Sequence, residues 1–113
     1  MLTIDNLNEL GANTGEGLKR CMGREDMYLK LVPRALNDTN FEKLKEAVGE
    51  GDLTAAFEAA HALKGVSGNL SLTPIFDKSE EITELLRIKS DADYAVLVEE
   101  LIGIRDRFRA LCE

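Results

Sequence analysis

Apolar residues recur at helical spacing along most of this chain, and no segment shows the alternating Val/Ile/Thr/aromatic pattern of a strand. The N-terminal stretch is the least regular: Leu7 and Leu10 suit a short helix, after which Gly11, Gly15 and Gly17 interrupt the pattern. From about 24 to 37, Met27, Tyr28, Leu31, Val32, Ala35 and Leu36 fall on one helical face. Glu25 and Asp26 stand in its first turn, where the helix dipole favours anions. Pro33 lies inside that stretch, removes one ladder bond and predicts a kink. Thr39 and Glu42 have capping-box spacing ahead of a helix that carries Phe41, Leu44 and Val48 and stops at Gly49-Glu50-Gly51. Asp52 is placed to cap a helix running through Leu53, Ala56, Phe57, Ala60 and Leu63 towards Leu70. Thr73-Pro74 predicts the next start, with Ile75, Ser79, Ile82 and Leu86 on one face. Ser90, with Asp93 three residues later, opens the last helix. Its series Tyr94, Leu97, Val98, Leu101, Ile104, Phe108 and Leu111 approaches a heptad stripe.

Connections of two to four residues between amphipathic helices favour antiparallel neighbours. The pattern therefore predicts an all-α protein: an up-and-down antiparallel four-helix bundle over about 24–112, preceded by a short helix or helices within about 1–22. No internal repeat, low-complexity tract or linker interrupts the 113 residues. A single domain over 1–113 is expected, long enough to bury a core without staples.

Charge narrows the partners. Fourteen Lys and Arg against 21 Asp and Glu leave a formal charge of −7, which argues against nucleic acid and against an anionic membrane surface. No apolar run is long enough to span a bilayer and no leader-like start is present, so a cytoplasmic protein is expected. Cys21 and Cys112 have no metal-binding spacing and read as packing or surface thiols, so no metal site is expected. Nothing in the pattern demands a dimer, and a monomer is expected.

His61 is the one histidine. The core arc of its helix is set by Leu53, Ala56, Ala60, Leu63, Ser67 and Leu70, and at about 100° per residue His61 falls roughly 130° from the middle of that arc. It shares its side with Thr54, Phe57, Glu58, Lys64, Gly65 and Gly68, so it should be exposed. Three features lift it above an ordinary surface histidine. Gly65 and Gly68 weaken the helix by about 0.5–1 kcal/mol each relative to alanine, and the helix itself has no need of them. Lys64 lies within reach of any group attached to the ring. From Ala59 to Phe76 there is no acid at all, where an even spread of the 21 acids predicts about three. A neutral imidazole is a competent nucleophile at cellular pH, and a phosphoryl group in transfer needs little beyond positioning and a stabilising cation. The chain has no glycine-rich nucleotide loop, so it is not expected to use ATP by itself.

His61-Ala62-Leu63-Lys64-Gly65, followed by Val66-Ser67-Gly68-Asn69-Leu70, resembles the signature helix of histidine-containing phosphotransfer (HPt) domains of bacterial multistep phosphorelays. Gly17-Leu18, Tyr28-Leu29 and the Gly51-Asp52 lead-in are similar to the family too, so the likeness spans roughly residues 15–110. The resemblance implies a four-helix bundle in which His61 is phosphorylated by a receiver-domain aspartate, in a hybrid histidine kinase, and passes the group to a response-regulator aspartate. It implies Lys64 as the charge stabiliser and Gly65 as a small residue admitting the receiver, with Phe57, Gly68 and Asn69 on the partner-binding surface. The chain is expected to bind no cofactor, the Mg²⁺ residing on the receiver. Two points depart from or extend the pattern. Many relatives have glycine where this chain has Ser71. Some place a polar or basic side chain from the following helix near the imidazole; Ser79, Thr83 and Arg87 form such a stripe, though solvated surface is the plainer reading for each. The competing functional reading is a helical docking module for a receiver or kinase that never carries phosphate.

Overall fold

In the computed structural model, which describes residues 1–113, the helical periodicity resolves into seven α-helices. These are α1 (Ile4–Glu9), α2 (Thr14–Arg20), α3 (Glu25–Leu36), α4 (Asn40–Gly49), α5 (Leu53–Asn69), α6 (Thr73–Arg87) and α7 (Tyr94–Ala110). The last four make the bundle: α5 packs along α4 and α6, and α7 closes the ring against α6 and α4. α3 lies on α7, and the irregular N-terminal stretch forms two short helices, α1 against α2 and α2 against α3. Leu36, Leu44, Leu63, Ile82, Leu101 and Phe108 meet in one core with almost no exposed surface. Each such side chain contributes about 1.5–3 kcal/mol by leaving water. No helix is long and apolar enough to cross a membrane. Cys21 is buried, Cys112 is half-buried, and the two are not joined.

Helix ends show where local spacing misleads. Thr39 does not cap α4; it has helical backbone angles, and Asp38 Oδ1 accepts from the Asn40 N–H instead, at 2.8 Å. α6 starts one residue earlier than Thr73-Pro74 suggested, with Leu72 at the cap and no side-chain hydrogen bond. In α7 the cap is Asp93, whose Oδ1 accepts from Val96 N–H at 3.3 Å. Ser90 is left in a connection over 88–93, longer than expected, where its carbonyl accepts the Tyr94 hydroxyl at 2.6 Å. α3 runs through Pro33 to Leu36, with the proline inside the helix as the sequence pattern placed it.

One burial expectation fails, and one buried charge was not foreseen. Leu53, placed in the core arc of α5, is 44 % exposed, and its neighbours Asp52 and Thr54 are exposed too. Arg105, a charged residue inside the apolar stripe of α7, is only 6 % exposed. Its guanidinium lies 4.7 Å from the Phe41 ring centre, donates to the Leu36 carbonyl at 3.3 Å and to Asp106 at 2.8 Å. A buried charge needs such partners, and here they tie the end of α3 to α4 and α7.

Candidate functional site

Asp52 Oδ1 accepts from Ala55 N–H at 3.1 Å and starts α5. Its inner face is Ala56, Ala59, Ala60, Leu63 and Ser67, all buried. Three alanines in this row let α4 and α6 approach closely, and Ser67 gives its hydroxyl back to the Leu63 carbonyl at 2.6 Å. That packing fixes the rotation of the helix and turns His61 outward, where it is exposed. The imidazole sits beside the Phe57 ring, centres 5.7 Å apart and planes tilted by 49°. Arg87 covers Phe57 at 5.1 Å from the ring centre and pairs with Glu84 at 3.1 Å. Arg87 therefore stands one ring away from His61.

His61, Lys64 and Gly65 border an open depression of about 510 Å³ between α2, α5 and the first turns of α6. Gly68, Asn69, Ser71, Phe76 and Asp77 line it as well. The two helix glycines differ. A Cβ on Gly65 would meet nothing within 4 Å, so its bare backbone faces solvent. A Cβ on Gly68 would lie 3.0 Å from Phe76 Cδ1. Gly68 is thus needed inside the molecule, to seat Phe76 of α6, contrary to the expectation that the helix has no use for it.

Ser71 occupies the left-handed region, φ +53°, just past the end of α5. Leu72 N–H bonds to the Ser67 carbonyl at 2.9 Å and Ser71 N–H to Gly68 at 3.1 Å, which completes the closing motif of the helix. A left-handed position favours glycine on backbone grounds alone.

The stripe on α6 also reads differently. Ser79 and Thr83 are fully buried, not solvated: Thr83 donates to the Ser79 carbonyl at 2.6 Å, while Ser79 Oγ has no partner. They lie on the side of α6 that packs inward, so of the three only Arg87 is exposed. The acid-free run from Ala59 to Phe76 is likewise not an acid-free surface. Lys64 Nζ lies 3.6 Å from Glu80 Oε2, and Asp77 lines the depression, both delivered by α6.

Two further lining residues, Asn13 and Arg20, come from the N-terminal region, where no local spacing points to the site. The contacts that place them begin at Tyr28. Its hydroxyl donates to the Leu70 carbonyl at 2.7 Å, and burial pushes its pKa up to about 12. Gly17 lies flat on that ring: a Cβ there would fall 2.5 Å from Tyr28 Cε1. Asn13 N–H donates to the Ser71 carbonyl at 2.9 Å, and its side chain caps α2 through Glu16 N–H. Elsewhere, no group of three or more His, Cys, Asp or Glu side chains converges in the molecule.

Comparison with known proteins identifies the family. No curated protein and no solved structure matches the chain. The family model for the Hpt domain matches residues 34–113, from the last turn of α3 through the whole bundle, and leaves α1 and α2 outside. The chain thus belongs to the Hpt domain family and has its phosphotransfer role in two-component systems, alongside receiver and kinase domains.

Proposed function

We propose that this chain is a phosphorelay intermediate in which His61 takes a phosphoryl group from a receiver aspartate and passes it to another. The observation that carries the reading is an exposed imidazole on the border of an open depression, flanked by the Lys64 ammonium and the bare backbone of Gly65. An unprotonated ring nitrogen attacks phosphorus. The N–P bond forms as the P–O bond to the aspartyl carboxyl breaks, the carboxylate leaves as an anion, and the ring keeps the proton on its other nitrogen. Charge gathers on the three equatorial oxygens during transfer. Lys64 is the stabilising cation on α5. Return of the group to a second carboxylate is the same step reversed. The divalent cation belongs to the receiver, which holds the aspartyl phosphate.

Gly65 supports this reading because a receiver must bring its aspartate in line with the imidazole. A side chain one turn along would stand in its path. Phe57 and Asn69, on the same outward side, and Gly68, through the Phe76 ring it seats, belong to the docking surface on this reading.

The test is incubation with a phosphorylated receiver. We expect the parent to gain an acid-labile phosphoryl group and His61→Gln to gain none, with its helicity unchanged because the side chain is exposed. A His61→Gln chain labelled as well as the parent would overturn the assignment. A parent that binds the receiver but never becomes labelled would make the chain a docking module instead.

A further inference from the structure

We propose that Arg20, on the short N-terminal helix α2, is the second cation of the phosphoryl site. This rests on the phosphotransfer reading above and adds a residue from outside the matched bundle. The charges around the depression carry it. From α5 and α6 the lining receives one cation, Lys64, and one carboxylate, Asp77, and Glu80 engages the Lys64 ammonium from outside the lining at 3.6 Å. That set alone has no net positive charge. A bound phosphoryl group brings a further charge of about −2 near neutral pH. Arg20 lines the same depression and supplies the missing positive charge.

Its placement is built rather than incidental. α2 is held to the site by two contacts: Gly17 close against the ring of Tyr28, whose hydroxyl donates to the Leu70 carbonyl, and Asn13 N–H on the Ser71 carbonyl. Both carbonyls belong to the turn that follows the histidine's own helix. The ion pair that engages Arg20 is weak. Glu16 Oε1 lies 3.8 Å away, both side chains are about half exposed, and Glu16 does not line the depression. A planar guanidinium can exchange that contact for two parallel hydrogen bonds to phosphoryl oxygens.

Phosphoramidate separates this role from partner docking, because it delivers the group without a protein. The unprotonated ring nitrogen of His61 attacks phosphorus, the P–N bond of phosphoramidate already protonated on its nitrogen breaks, and neutral ammonia leaves. For Arg20→Gln we expect labelling slowed about threefold to tenfold, the range for losing a charge-assisted contact at a partly exposed site, and Arg20→Lys should recover part of it. Arg24→Gln is the control: it removes the same charge from a nearby exposed residue that does not line the depression. It should label at the parent rate. Far-UV helicity should be equal in all four chains. Parent-like labelling of Arg20→Gln, or equal slowing by Arg24→Gln, would overturn the inference and leave the phosphotransfer reading standing. A parent that phosphoramidate and a phosphorylated receiver both leave unlabelled would overturn the two together.

Discussion

The inner and outer faces of α5 have been shaped by different demands. The inner face is small and apolar, with Ala56, Ala59, Ala60 and Leu63 buried between α4 and α6. The outer face carries an exposed histidine, a lysine shared with Glu80, and Gly65 with open space where a side chain would be. The first face lowers the free energy of the fold. The second raises it slightly, since a helix-interior glycine costs about 0.5–1 kcal/mol. Such a cost at a position with no neighbour marks a surface shaped for something outside the molecule.

Neighbouring residues on opposite faces give the sharpest way to break this contrast. Leu63→Ala should lower unfolding free energy by about 2–5 kcal/mol in denaturant titration, while the chain that remains folded transfers phosphoryl at the parent rate. Lys64→Ala should do the reverse. Its pair with Glu80 is partly exposed, so stability should move by less than about 1 kcal/mol, while transfer from a phosphorylated receiver slows several-fold. If Leu63→Ala slowed transfer as much as Lys64→Ala, the two faces would not be separable.

The glycines allow a finer test. Gly65→Ala should stabilise the chain by about 0.5–1 kcal/mol and slow transfer from a receiver while leaving phosphoramidate labelling unchanged. Gly68→Ala should bring no such gain, because its Cβ would press on Phe76 at 3.0 Å. Equal stabilisation by both would mean that Phe76 yields freely and that the two positions are alike after all. The smallest effect belongs to Ser71→Gly. Relief of a left-handed serine is worth about 1 kcal/mol, partly offset by the freer unfolded chain. A net rise of about 0.5 kcal/mol in thermal or denaturant unfolding is expected. A fall would show that the serine hydroxyl matters more than its backbone.

The legible part of the molecule was whatever depends on residues close in sequence. The periodicity of α3 to α7, the Asp52 cap and the outward turn of His61 all follow from spacing within a few helical turns. His61, Lys64 and Gly65 lie within five residues, so their grouping was readable as well. The rest depends on contacts between distant segments. Asp77 and Glu80 reach the site across the α5–α6 packing, and Arg20 reaches it through Tyr28 and Gly17. The buried Arg105 and Thr83 escaped for a related reason. Each meets its polar needs with a backbone carbonyl, Leu36 for one and Ser79 for the other, and residue type alone does not reveal such a partner. Thr39 failed through competition, since Asp38 offered the stronger cap one residue earlier.

The openness of the depression around His61 has a consequence in time. On the proposed reading, the geometry that lets a carboxylate arrive in line with the ring also lets water reach the same phosphorus atom, because no lid or wall stands over it. The chain would then behave as a leaky store whose yield is a ratio of two rates, capture by the next receiver against spontaneous hydrolysis. Signal fidelity would be set by how often a partner arrives, and so by partner concentration, as much as by how tightly it binds.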